Sequence, residues 1–481
     1  MKKAFFKINR LILVISCLIQ ICHSINLDVN QLGQWIPNYK TETNIKLSNK
    51  SINAIASNTF NALTNLQYLW LDKNQLTTLE STLFSSLTNL HALDLQYNML
   101  TSLDPLLFKS LSNLRTLWVG YNQLTQLDSS MFNTLNSLNY LILGPNNLTQ
   151  VDASLFKSLT NLQTLYLNDN KISWLESSIF STLKNLRNLR LYNNKLTTLN
   201  SSLFTGLFKL TELLLDNELI SLDPLIFRDL TSLRTLYINT VRLTSLDPFI
   251  FVTLTNLEYL RWFNHLTELD PRLFINLINL TRLDLYSYNL TKLDPLVFIR
   301  LTSLKSLYLE GSKLTELPSY IFSTLFNLEE LYMSGNLINR LDPSSFRSLN
   351  RLEVLFLSSC QLTSLDASLF STCTSLRHLD LIDNKLSSLD DPLLFSALTN
   401  LEELYLSHNQ LVSLHPNLFQ SLINLNALFL DYNKLISIDR LIFLGLNNLN
   451  YVVMSNNPIS LIQPSYVLQL CSSNLQCQVF I

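Results

Sequence analysis

The segment NLQYLWLDKNQLTTLESTLFSSLT, residues 65–88, returns with variation from about residue 44 to residue 458. The next copy, NLHALDLQYNMLTSLDPLLFKSLS, fills residues 89–112, and a later one begins NLEELYLSHNQLVSLHPNLF at residues 400–419. A fixed period of this length requires one structural unit stacked many times. Within the unit, Leu69-Trp70-Leu71 alternates as a strand does, so Leu69 and Leu71 point inward while Tyr68, Trp70 and Asp72 point outward. Asn74 follows where the chain must bend, and its amide can both donate to and accept from backbone groups that the bend leaves unpaired. Leu76, Leu79, Leu83, Phe84 and Leu87 then re-enter the interior. One coil leaves both flanks open, so each copy needs a neighbour.

The first inward strand residue falls at Ile45, Leu69, Leu93 and onward to Val452, which makes 18 coils. The step is 24 residues, except for 23 from Leu213 to Leu236 and from Leu260 to Leu283, and 25 from Leu379 to Leu404. A back-of-coil Phe is present in each of the first 17 coils, from Phe60 to Phe443. A leucine-rich helical protein would need a period of about 3.6 residues instead.

The pattern LxxLxLxxNxLxxLxxxxFxxLxx resembles the 24-residue class of leucine-rich repeat of extracellular animal proteins, such as Toll-like receptor ectodomains and Slit-like proteins. The resemblance implies an α/β solenoid: a horseshoe with one long parallel β-sheet on its concave side and short turns or helices on its convex side. It speaks to fold far more than to function.

Around the solenoid at residues 44–458, the ends read differently. Residues 1–24 have the form of a signal peptide: Lys2, Lys3, Lys7 and Arg10, an apolar run over 11–21 too short to span a bilayer, and cleavage before Ile25. Residues 25–43, with Trp35, Ile36 and Tyr39, are expected to cap the first coil, although the cysteine-knotted cap of extracellular relatives is missing. Residues 459–481 form a short C-terminal cap in which Cys471 and Cys477 are expected to pair in an oxidising compartment. Cys360 and Cys373 read as small buried free thiols. No apolar span of membrane length follows the leader.

Several features recur along the coils. Asp-Pro at 104, 223, 247, 270, 294, 342 and 391 reads as the capped start of short helical turns. The Asn position of the bend is taken by Lys50, Val241, Tyr288, Ser312 and Cys360, while Asn217 and Asn264 stand one residue early. The irregular coils cluster between about 213 and 312, a sign either of drift in a tolerant repeat or of a partner site. Sequons at Asn49, Asn147, Asn200, Asn279 and Asn289 are candidate glycosylation sites in a secreted chain.

Same-position residues of stacked strands form columns. In the middle outward column nine of 17 residues are aromatic, yet each points to solvent. Either this is a binding surface, since exposed aromatics and Arg make hot spots, or it reflects β-propensity alone. The densest run holds Tyr237, Tyr259, Arg261, Phe263, Arg282, Asp284, Tyr286, Tyr308, Tyr332 and Phe356, and these are the candidate partner-binding residues. Formal charge is −2, or −6 once four basic leader residues are removed (30 basic, 36 acidic), which favours neither nucleic acid nor an anionic membrane. His378, Asp380 and Glu403 could be neighbours, but with no nucleophile or pocket beside them they read as a solvated polar patch. The chain is therefore read as a secreted scaffold, not an enzyme, needing no cofactor or metal. It would bind a protein or matrix ligand on the concave face. The alternative is a receptor-type ectodomain whose membrane and signalling parts lie outside this chain.

Overall fold

The computed structural model describes residues 25–459 and 478–480. The chain divides into two compact units, Met1–Leu233 and Arg234–Ile481, and the same coil is built in each.

The first unit opens with β1 (Ile25–Leu27), helix α1 (Val29–Trp35), a 3-10 turn (Tyr39–Thr41), β2 (Asn44–Lys46) and β3 (Ile52–Ile55). Asp28 caps α1, accepting from the Gln31 N–H at 2.8 Å. β1 lies parallel to β3, and Leu27 and Leu32 are fully buried. Then come β4 to β10: Tyr68–Trp70, Ala92–Asp94, Thr116–Trp118, Tyr140–Ile142, Thr164–Tyr166, Asn188–Arg190 and Glu212–Leu215. β2 pairs with β4, and each later strand pairs in parallel with the next.

The second unit holds β11 (Thr235–Thr240), β12 (Tyr259–Asn264), β13 (Arg282–Ser287), β14 (Ser306–Tyr308), β15 (Glu330–Tyr332) and β16 (Val354–Phe356). It continues with β17 (His378–Asp380), β18 (Glu403–Tyr405), β19 (Ala427–Phe429), β20 (Tyr451–Val453) and β21 (Gln478–Phe480). These too are parallel neighbours in order. All 18 anchors, Ile45 to Val452, are the second residue of a strand and are buried.

Two periodic devices hold coil to coil, and a third shapes the back of each coil. The Phe residues stack behind the strands, with ring centroids 6.2 Å apart for Phe60 and Phe84 and 6.4 Å for Phe298 and Phe322. The bend Asn crosses between coils. Asn74 donates to the Leu47 and Leu71 carbonyls at 2.8 and 2.9 Å and accepts from the Lys50 and Ile52 amides. Cys360 serves the same place, its thiol donating to the Met333 carbonyl at 3.3 Å. The third device is the Asp of the back segment. Asp104 accepts the Leu106 N–H on its carboxylate at 2.8 Å and the Leu107 N–H on its carbonyl at 3.1 Å. The other six Asp-Pro sites do likewise. The segments that follow are chains of single hydrogen-bonded turns, not helices, because each coil must return its Phe to the core within a few residues.

The coils next to the short steps depart from the expected pattern. β11, β12 and β13 run for six residues instead of three, with buried and half-exposed side chains alternating except at the buried Asp284. The inward slot at their ends belongs to Thr240, Asn264 and Ser287, all buried and in register. Val241 and Tyr288 do not take the bend position, as the simple 24-residue register would have it. The strand keeps its pleat three residues longer and delivers the preceding residue inward. Trp262 replaces the usual inward Leu, packs edge-on against Phe251 and Phe274, and donates to Thr240 Oγ1 at 2.8 Å.

Candidate functional site

The ten candidate partner-binding residues fall on one surface of the second unit, the outward face of β11 to β16. Register places Tyr237, Arg261, Asp284, Tyr308, Tyr332 and Phe356 in one row across the six strands. Tyr259 and Arg282 belong to the row on one side. Phe263 and Tyr286 belong to the row on the other, which is strand-paired only because β11, β12 and β13 are long. The irregular coils thus widen the outward face by one row.

The rings touch in three groups, which the two arginines join. Tyr237 meets Tyr259 edge-on at 5.1 Å, Phe263 stacks on Tyr286 at 4.7 Å, Tyr308 stacks on Tyr332 at 4.2 Å, and Tyr332 meets Phe356 edge-on at 5.0 Å. Contact among them leaves the aromatics half-buried instead of projecting freely. Burial, foremost, raises the Tyr259, Tyr286, Tyr308 and Tyr332 phenols above their usual range. They are neutral hydroxyls throughout the physiological range.

Two arginines are set into these rings. Arg282 lies 5.0 Å from the Tyr259 ring and 4.6 Å from the Tyr308 ring, and grips Asp284 through Nε and Nη2 at 2.8 and 3.2 Å. That grip raises its own already high pKa. Asp284 sits on the outward row yet is only 1 % exposed. Arg261 lies 5.6, 5.2 and 5.5 Å from the rings of Tyr237, Phe263 and Tyr286. Such contacts suit a weakly hydrated guanidinium. At the borders of the patch, on opposite sides of the middle row, stand two acids absent from the sequence-based site, Glu330 and Glu310. Burial, then the Asp284 charge, raises the Glu310 carboxyl, and Glu330 accepts from the Tyr308 hydroxyl at 3.4 Å. Glu310 follows a strand that ends at Tyr308, so alternation alone did not mark it; its outward position two residues past Tyr308 was the available signal.

Of the polar trio farther along, two members meet: His378 Nδ1 is 3.1 Å from Glu403, and Tyr405 donates to the same carboxylate at 2.6 Å. Asp380 accepts the Ile382 N–H, and burial raises its carboxyl. Among the described residues, no group of three or more His, Cys, Asp and Glu side chains is placed to hold a metal ion. Cys360 and Cys373 are buried free thiols, pushed up to about 11 and about 12 by burial. Cys471 and Cys477 lie outside the described residues. Of the sequon residues, Asn49 and Asn200 are exposed and Asn147 is half-buried. Asn279 donates its amide to the Thr255 carbonyl at 2.9 Å, and Asn289 accepts from Lys313 at 2.9 Å.

Two family models match the chain. One, described as a BspA type Leucine rich repeat region (6 copies), matches residues 37–163, 107–234 and 149–281, together more than half of the chain. The other, Leucine rich repeat, matches residues 262–314, 302–362, 351–411 and 399–459. The chain belongs to the leucine-rich repeat family. Among solved structures, this leucine-rich repeat chain is similar to the glycosylated Toll–Spatzle complex of Drosophila (TM-score 0.66, 24% identity, 90% of this chain and 56% of that one). It is similar also to a leucine-rich repeat protein of Leptospira interrogans (TM-score 0.52, 23% identity, 95% of this chain and 100% of that one). It spans about half the length of the Toll chains, 52% and 56%. At these identities the likeness is one of fold. No curated protein matches the sequence. Among the described residues no helix of this leucine-rich repeat chain is long and apolar enough to cross a membrane.

Proposed function

We propose that this leucine-rich repeat protein is a secreted, non-enzymatic scaffold that recognises another protein or a matrix component on the outward face of β11 to β16. One observation carries the reading: seven aromatic side chains and two arginines form a contiguous, half-buried surface where the coils widen the sheet. Large rigid rings and Arg lose little entropy on docking and supply most of the binding energy at protein interfaces. β-propensity accounts for aromatics on strands, but not for the extra row or for Arg set among the rings.

Secretion belongs to the same reading. A leader at residues 1–24, cap segments at 25–43 and 459–481, a Cys471–Cys477 bridge and glycans on some of Asn49, Asn147, Asn200, Asn279 and Asn289 all suit an extracellular scaffold. The test is alanine substitution at Tyr237, Arg261 and Tyr308, assayed against a partner recovered from a displayed library of extracellular domains. Each change should cost about 1–2 kcal/mol of binding. Undiminished binding by all three folded variants contradicts the reading.

A further inference from the structure

The two arginines of the patch are not equivalent. Arg282 is satisfied by Asp284, and Asp284 is covered by Arg282 and Tyr259. Arg261 has rings around it and nothing to bond. Its Nε is buried without a hydrogen-bond partner, and among the described residues no acceptor or carboxylate is bonded to its guanidinium. A guanidinium is a flat array of donors that matches a carboxylate in two parallel bonds. One held by three rings has lost most of its rotamer freedom before any ligand arrives, which removes part of the cost of binding.

We propose that Arg261 is the receptor for a single carboxylate, the Asp or Glu side chain of a protein partner, seated between the rings of Tyr237 and Tyr286. This rests on the protein-binding reading above and names the chemistry of its central contact. The surrounding charge selects a protein over a polyanion. Asp284 is spent on Arg282, and Glu310 and Glu330 stand at the borders of the same patch. A sulfated polysaccharide would meet one free cation and two carboxylates there, and like charges across an interface are costly. One acidic side chain in an otherwise apolar or basic segment meets a complementary field. By strand spacing and the two-residue offset along the strand, Glu310 lies roughly 12 Å from Arg261, so a basic side chain of the partner is expected about that far from the acid.

The experiment pans random linear peptides, displayed on phage, against the whole protein. Bound clones should be enriched in Asp or Glu. The strongest, made as a free peptide, should bind the Arg261→Met protein about tenfold or more weakly. Replacing its acid by the amide should cost as much, and the two losses should not add, as in a double-mutant cycle of paired groups. The Arg261→Lys protein keeps the charge without the fork, and should fall between; circular dichroism checks that both variants fold. Peptides weakened by Tyr308→Ala yet indifferent to Arg261→Met and to their own acids would overturn the carboxylate assignment while leaving the binding face intact. Peptides indifferent to Tyr308→Ala as well, or none recovered, would remove both. Heparin binding that depends on Arg261 would also overturn the assignment, in favour of a polyanion.

Discussion

The Tyr259 hydroxyl donates to Asp284 at 2.5 Å, diagonally from one strand to the next. Together with Arg282 it covers a carboxylate whose backbone position points to solvent. The pair links two of the long strands through their side chains, and it divides the patch into a satisfied half around Arg282 and an unsatisfied half around Arg261.

Arg282→Met should therefore destabilise the protein by about 2 kcal/mol, because it leaves a buried carboxylate with one neutral donor. Adding Asp284→Asn should recover much of that loss. Urea unfolding of the singles and the double gives the coupling directly. Equal stability of the single and the double would show that the carboxylate is not held as described.

Asn336 donates to the Leu309 and Met333 carbonyls at 2.9 and 2.7 Å and accepts from the Leu314 amide at 3.2 Å. Asn336→Ala strands these backbone groups in the interior, at a cost of about 3 kcal/mol. Asn336→Cys should cost less, since Cys360 makes one of those bonds in its own coil. Asn327, which donates to the Thr302 carbonyl from the surface, is the control and should cost under about 1 kcal/mol as Ala. Chemical unfolding of the three variants checks the order.

Trp262→Leu restores the usual residue of the repeat and should still destabilise, by about 3 kcal/mol. It empties the space between Phe251 and Phe274 and leaves Thr240 Oγ1 without its indole donor. Thermal unfolding reads the loss. A neutral result would show that the long-strand coils are not built around this ring.

Asp94 lies on β5 between the strand positions of Trp70 and Trp118. Its carboxyl is pushed up to about 6, by burial first, with the Asp72 charge adding and the Gln96 N–H and Lys73 opposing. A raised folded pKa means the folded state holds the proton more tightly, so this contribution is complete below about pH 4. It is lost as pH rises through about 6. Asp94→Asn should stabilise by about 1–2 kcal/mol at pH 8, discounted because the group is partly exposed, and change nothing at pH 4. Unfolding at the two pH values checks the sign.

Periodicity carried the fold far because it is redundant. Eighteen anchors each place a strand centre, and no single exception moves the rest. The outward assignment of Tyr237, Arg261 and Tyr308 was legible for the same reason. The 23-residue steps marked the irregular coils but not what they do. A local alternation such as TLYINT competes with the 24-residue register, and at Val241 and Tyr288 the pleat won. That Asp284 is enclosed and Arg261 left unbonded depends on side-chain rotamers across three strands, which no column of letters encodes.

The proposed partner sits on the outward face of β11 to β16. Hydroxyl-radical footprinting of the protein, alone and saturated with a ligand recovered by display, reads that position residue by residue. Tyr237, Tyr259, Tyr308, Tyr332 and Phe356 should be protected, with the exposed turn-side Phe326 and Leu393 unchanged. Protection of Phe326 and Leu393, with those five residues oxidised as fast as in the free protein, would contradict that placement.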